Sequence, residues 1–456
     1  MSMTSGAMAA GEPVVVEKIV LDKIWSAVPV GFCVLTDGDR QYVAYYNADR
    51  RMVVGHRTLT ESQFTTLVLP SESDQPPRRS RQTSTIQGWD SHNYITMAVD
   101  REGHVHLSGN MHVDPLLYFR TEKPGDVTTM KQIKTMVGPQ EDRCTYPKFT
   151  TAPGGELLFH YRDGSSGNGQ EIYNIYDAET KTWRRFLENN LISGRGKRNA
   201  YQRGPVLGPD GWYHLLWMWR ETPAVETNNH LCYARSKDML NWETADGKSL
   251  DLPITLDDEG TYIDPVPVEG GLHNSHQHFS FDHRGRFVAS YIKHDQNDHT
   301  QAYVARFEDG QWNIRAVSDW KHKHIFKGSG SGPSTFGTSM SIGPVHKHEP
   351  GQLALPFRHW KAGNGMIVID EQTLKPIKVV APETKAPRYP SELTKVKSDF
   401  PGMSVRWRGD SGKSPEPNVR YDLRWETLGT NRDRPRDKPW PENSDLVLYK
   451  FQRPAE

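Results

Sequence analysis

Cysteine is nearly missing: Cys33, Cys144 and Cys232 are the three in 456 residues. An odd number with no CxxC spacing indicates neither a disulfide framework nor a zinc ribbon. Net charge is missing too, with 56 basic residues against 56 acidic ones. A chain without a broad field of either sign is not built to track nucleic acid or to coat an anionic membrane, though a local basic cleft stays open to it. No apolar run approaches the ~20 residues of a membrane-spanning helix. The opening MSMTSGAMAAGEP is small and polar and lacks the apolar stretch of a signal peptide. Residues 1–13 are therefore expected to be disordered or a cloning scar. Secretion or a periplasmic location with the signal removed is the expectation, a cytoplasmic start the alternative.

Aromatics, by contrast, are plentiful: 13 Trp, 18 Tyr and 15 Phe in a chain of mean hydropathy −0.72. Most of them serve to fill β-sheet cores, and the remainder suit a carbohydrate partner. Six strand–turn–strand units punctuate the chain, with turn glycines at Gly38, Gly103, Gly155, Gly211, Gly285 and Gly351. The intervals are 65, 52, 56, 74 and 66 residues. Each turn carries the Asp/Pro/Gly chemistry of a tight hairpin. A weaker seventh unit covers 406–428, and a strand SDLVLYKF closes the chain at 444–451. Between the units no sustained 3.6-residue apolar period appears, so the pattern predicts an all-β repeat array. Units of this length match four strands plus loops, and about seven fit the chain. The expected fold is a seven-bladed β-propeller forming one domain over 14–456, with two β-sandwiches as the alternative. The segment HLCYARSKDMLNWE (230–243) resembles a degenerate Asp-box, a fold marker, through Ser236, Asp238 and Trp242. The Pro-, Arg- and Asp-rich stretch 410–446 reads as a long loop over one face.

Chemistry concentrates at strand ends. His92 precedes the strand YITMAV and His112 follows HVHLSGN, with Asp90, Asn93 and Asn110 around them. A hairpin brings its ends together, so the two imidazoles are expected to converge. His104 and His106 lie within the strand and read as a packed or solvated face. The next unit puts Tyr146 and Arg162 at its strand ends, followed by a Gly/Ser loop at 164–169 that would let a polymer approach. The one after that supplies Tyr201, Arg203 and Arg220. The acidic residues near these ends form no obvious pair of the kind a glycoside hydrolase needs. His, Tyr and Arg suit β-elimination on a uronate: cations stabilise the enolate-like charge and lower a tyrosine's pKa towards the working range.

Taken together, DSHN, GNMH, YPKF, HYRDGSSG, YQRGP and WMWRETP…NNHLCYARSKDMLNWE resemble the seven-bladed propeller polysaccharide lyases, the ulvan lyases and the related L-rhamnose-α-1,4-D-glucuronate lyases. The resemblance runs from about residue 30 to 300. It implies cleavage of a rhamnose–(1,4)–uronate bond by a monomer acting on a uronate-containing polysaccharide, with no cofactor needed for the chemistry. It further implies a catalytic set of His92, His112, Tyr146 and Arg162, and substrate contacts from Tyr201 and Arg220, to which Asn93 and Arg203 are added as neighbours. Family members often hold a structural metal, zinc or calcium, for which GLHNSHQHFSFDH (271–283) offers His276 and His278. Two readings compete: a glycoside hydrolase on a smaller propeller, and a carbohydrate-binding propeller without catalysis.

Overall fold

The computed structural model describes residues 13–77, 82–328, 340–382 and 387–452, so all of the segment 1–13 except Pro13 lies outside the described residues. Helix is confined, among the described residues, to five short 3-10 turns, and thirty-two strands carry the rest of the regular structure. The strands form seven antiparallel sheets of four to six strands.

The reason is visible in each unit. Gly38, Gly103, Gly155, Gly211, Gly285 and Gly351 all take positive φ, between 59° and 86°. Each sits in the turn of a hairpin, for example between Ile95–Val99 and Val105–Gly109. A side chain would strain that conformation, so glycine marks the turn in sequence and makes it in space. The following strand is rich in β-branched and aromatic residues and buries both faces; Tyr213–Arg220 (YHLLWMWR) is covered almost throughout. Outermost strands such as Pro376–Val380 stay exposed.

The chain divides into two compact units: Met1–Asp163 with Asn174–Arg185 and Thr384–Glu456, and Gly164–Tyr173 with Phe186–Glu383. The stretch 14–456, expected above as one domain, carries its sheets in these two. In the first unit the strand Val14–Ile24 pairs along its length with the strand Ser444–Gln452, so the first and last described strands lie in one sheet. Behind that sheet Val447, Tyr449 and Phe451 are buried, and the rings of Tyr389 and Trp407 stack 3.7 Å apart. The second unit packs two cores, one around Leu216, Met218, Leu231 and Tyr291, the other around Val288, Ile292, Leu355 and Ile367. In the Asp-box-like turn the Asp238 carboxylate accepts the backbone N–H groups of Leu240 and Asn241, and Trp242 Nε1 donates to the Met239 carbonyl. It is a structural turn. The stretch 410–446 is less of a loop than expected, because the strand Val419–Leu428 lies inside it.

Candidate active site

The hairpin Ile95–Val99/Val105–Gly109 pairs Ile95 with Gly109, which draws the chain before one strand against the chain after the other. Asn110 then turns at φ 58°, its side-chain amide donating to the carbonyls of Ser84 and Ile86. That turn sends His112 into the short strand His112–Asp114, which pairs with Cys144–Thr151 of the neighbouring sheet, His112 opposite Thr145. His112 thereby belongs by sequence to one hairpin and by hydrogen bonding to the sheet that carries Tyr146.

Tyr146 lies inside its strand, not before it. The register with Leu157–Ser165 slips between Thr145 and Lys148, and Tyr146 occupies this bulge at φ 58°. A non-glycine residue held there is strained, and such strain is characteristic of functional positions. The hydroxyl of Tyr94 donates to the Pro147 carbonyl at 3.0 Å and braces the bulge. His92, His112 and Tyr146 gather as a result. The imidazoles lie 4.4 Å apart, and each ring centre is about 6 Å from the phenol ring. Arg162, 3% exposed, sits over the face of Tyr146 at 4.9 Å, and its buried Nε–H has no hydrogen-bond partner.

Carboxylates organise the imidazoles. Asp90 uses one oxygen on the backbone N–H and Nδ1 of His92 (2.9 and 2.8 Å) and the other on Nδ1 of His112 (2.6 Å). Asp433 adds a contact to the same Nδ1 of His92 at 3.2 Å. With both Nδ1 atoms engaged, the two Nε2 atoms are left for chemistry. Burial opposes charging His92, but Asp433 and Asp90 outweigh it and raise its pKa to about 10. Burial would likewise raise the pKa of Asp90, yet His112 and His92 hold it well below the usual carboxylate range. Asp90, His92 and His112 are also, among the described residues, the set of three potential ligands whose atoms fall within 4.8 Å of one another. Their mutual hydrogen bonds already account for that closeness.

A cavity of about 740 Å³ opens beside this group, lined by Arg50, Trp89, Asp90, His112, Asp114 and Asp433 among others. Three aspartates gather here, although sequence reasoning found no carboxylate pair of the kind a glycoside hydrolase needs near these strand ends. All three are committed as acceptors, Asp114 to the backbone N–H of His112 and Asp433 to Ser91 as well as His92. Arg50 reaches the cavity from over the Trp25 ring, 5.1 Å away. Sequence reasoning noted Asp90 without giving it a part, and it passed over Asp114, Asp433 and Arg50. Only Asp90 carried a local signal, an Asp two residues before a His, the spacing of a side-chain-to-backbone turn.

Other expected residues fall elsewhere. Asn93 is buried at 2% exposure, its backbone carbonyl accepting from the Tyr46 hydroxyl and its Oδ1 buried without a hydrogen-bond partner. His104 and His106 are packed: His104 Nδ1 bonds the Thr121 carbonyl, and His106 lies between Asp100 and Tyr118. In the second unit Arg220 lies over Tyr201 at 4.2 Å and donates to the Tyr201 hydroxyl, to Asn228 and to Asn274. The Tyr201 hydroxyl also lies 2.5 Å from Ser166 Oγ. Ser166 belongs to the Gly/Ser segment, which is a tight hairpin between Leu157–Ser165 and Asn168–Asp177, not an open loop. Arg203 is exposed and donates to the Asn274 carbonyl.

His276 and His278 each keep a buried ring nitrogen without a hydrogen-bond partner. Burial, with His273, His324, His278 and Arg203 nearby, lowers the pKa of His276 to about 3. Neutral imidazoles fit zinc and not calcium, which takes oxygen ligands. Among the described residues no third ligand joins this pair within reach.

Comparison with known proteins addresses the family and the fold. The model of the BNR repeat-containing family matches residues 40–320. The short isoform of an ulvan lyase from Alteromonas sp. (strain LOR) is 31% identical over 150 residues, 28% of this chain and 28% of that protein. The long isoform from Pseudoalteromonas sp. (strain PLSV) is 43% identical over 75 residues, 15% of this chain and 8% of that one. The matches thus span less than a third of the length of these curated relatives. Among solved structures, a polysaccharide lyase superimposes with TM-score 0.56 at 14% identity, covering 98% of this chain and 100% of its own. A PL25 ulvan lyase bound to a glucuronic acid–(1-4)–rhamnose 3-sulfate unit gives 0.53 at 12% identity, covering 97% and 96%. At such identities the likeness is one of fold, and that fold is all-β and propeller-like.

Proposed function

The chain belongs to the BNR repeat-containing family, and on that premise we propose that it is a polysaccharide lyase acting on ulvan, cleaving the L-rhamnose–(1,4)–uronate bond by β-elimination. The observation that carries this reading is the single carboxylate of Asp90 held between two imidazoles beside a strained tyrosine and a buried arginine. A hydrolase would want carboxyl groups free to give and take protons at the glycosidic oxygen. Here the aspartates serve the histidines.

The chemistry follows from the parts. The C5 proton of a uronate is weakly acidic because the adjacent carboxylate is already negative. His92, kept cationic by its two aspartates, and the buried guanidinium of Arg162 neutralise that carboxylate and the enolate-like charge that follows. His112, held by one aspartate, exchanges a proton through Nε2. Tyr146, with Arg162 over its ring, handles the proton at the scissile oxygen. Removal of the C5 proton sends its electron pair into a C4–C5 double bond. The C4–O bond breaks, and the departing oxygen takes a proton to become the hydroxyl of the new end. Tyr201, Arg220 and Arg203 bind the polymer and take no part in proton transfer. The match of ulvan lyases to this sequence supports the substrate, and action on it is expected outside the cell.

One assay tests the reading: incubation with ulvan and with gum arabic, following ultraviolet absorbance and reducing ends together. A lyase produces a 4,5-unsaturated uronate that absorbs, preferentially from ulvan. Reducing ends without absorbance would identify a hydrolase, and binding without either a carbohydrate-binding module.

A further inference from the structure

Asp433 lies 342 residues beyond Ser91, in a stretch to which no part of the reaction has been assigned, yet it touches the candidate site directly. One of its carboxylate oxygens accepts both the backbone N–H and the hydroxyl of Ser91, each at 2.9 Å. The other lies 3.2 Å from Nδ1 of His92. We propose that Asp433 is a positioning residue for His92: by gripping Ser91 and the His92 ring together, it fixes the direction in which His92 Nε2 meets the substrate carboxylate. The proposal rests on the lyase reading for its effect on turnover, though not for the contact itself.

Three further observations support it. Arg432 and Asp433 both take left-handed backbone conformations, φ 53° and 58°. Two adjacent non-glycine residues in that region are held there only by their surroundings, and here the result is a carboxylate aimed at His92. The surroundings are built for it. Asn431 caps the turn by donating to the carbonyls of Arg434 and Pro435, and Arg436 donates to the Gly429 carbonyl. Trp440 then packs edge-on against Trp25 and Trp89, the residue preceding Asp90. Finally, Asp90 divides its two oxygens between the two imidazoles, and of the two rings Asp433 contacts only that of His92, so His92 alone faces a second carboxylate. A carboxylate that orients a functional imidazole through its second nitrogen is an established way of fixing ring direction and tautomer.

Asp433→Asn is the informative variant, since it keeps an acceptor for Ser91 and replaces the charge facing His92. The expected result is a kcat on ulvan lowered by about 10–100-fold, the range seen when carboxylates behind metal-bound histidines are removed. KM and Tm should stay close to wild type. An independent readout is the low-field Nδ1 proton resonance of His92, identified by its loss in His92→Gln. It should shift in Asp433→Asn whether or not turnover is measured. Unchanged kcat would overturn the proposal. So would a loss of activity in which Tm falls while the His92 resonance stays put, because Asp433 would then only brace the loop. A wild-type protein that cleaves no uronate polymer would instead remove the lyase reading, and the resonance would still decide whether Asp433 holds His92.

Discussion

Two Tyr/Arg pairs invite comparison, Tyr146 with Arg162 in the first unit and Tyr201 with Arg220 in the second. Both have a guanidinium over a phenol ring, at 4.9 and 4.2 Å. In both, the arginine lies near the end of the second strand of a hairpin, Arg162 opposite Thr145 and Arg220 opposite Asn199. The difference is in the tyrosines. Tyr201 keeps regular register opposite Met218, and its hydroxyl is met by Ser166 and Arg220. Tyr146 is displaced into a bulge at positive φ and meets two imidazoles. Each nitrogen of Arg220 donates, to Asn228, Asn274 and the Tyr201 hydroxyl, whereas Arg162 keeps a buried donor unpaired. The same two side chain types are thus tied to their neighbours in one pair, while in the other the arginine keeps a buried donor without a partner. Strain and unpaired polarity, more than residue type, separate them.

The comparison breaks most sharply on the tyrosines. Tyr146→Phe and His112→Ala are each expected to lose about 10²–10⁴ of turnover while remaining folded by circular dichroism. Their losses should not add in the double variant, because the groups act as one unit. Tyr201→Phe should change KM and leave kcat within a few-fold. Equal losses in kcat from Tyr146→Phe and Tyr201→Phe would erase the distinction.

The arginines sharpen it. On the lyase reading, Arg162→Ala removes a cation that faces the developing charge, so kcat should fall strongly with little loss of Tm. Arg220→Ala leaves the Oδ1 of buried Asn228 and of half-buried Asn274 without this donor, and an unsatisfied buried group costs about 1–3 kcal/mol. For that variant thermal melting should show the larger change, and KM should rise.

A third expectation concerns pH. The pKa of His92 rises on folding, so its protonated form stabilises the fold fully below its unfolded value of about 6.5. That stabilisation is lost as pH climbs through about 10. The pKa of Asp90 falls on folding, so its contribution is present above about 3.9 and is lost as the pH drops towards its lower folded value. Tm should therefore be highest between about pH 4 and 6.5, with an alkaline decline that His92→Gln flattens. The side chain of His92 is 39% exposed, so solvent screening keeps this effect to a few degrees. The smallest expected effect on activity belongs to His104→Ala. Turnover should stay near wild type while Tm drops, since the buried Thr121 carbonyl loses its partner.

How far the sequence reaches can be judged residue by residue. Gly38, Gly103, Gly155, Gly211, Gly285 and Gly351 announce their hairpins because a tight turn demands positive φ locally, and a chain read alone displays local demands. The convergence of His92 and His112 was legible for the same reason: a five-residue strand, a turn and its partner return the chain to its start. Strand alternation and the absence of helical period likewise settled the all-β class. Tertiary structure decided the rest. It moved His112 onto the edge of the next sheet, where its partner is Thr145. It bulged the strand at Tyr146, buried Asn93, and set Asp433 on Ser91 and His92. None of these has a local cause. A carboxylate finds an imidazole hundreds of residues away only after the sheets have paid the entropy of bringing those loops together, and no spacing along the chain records that meeting.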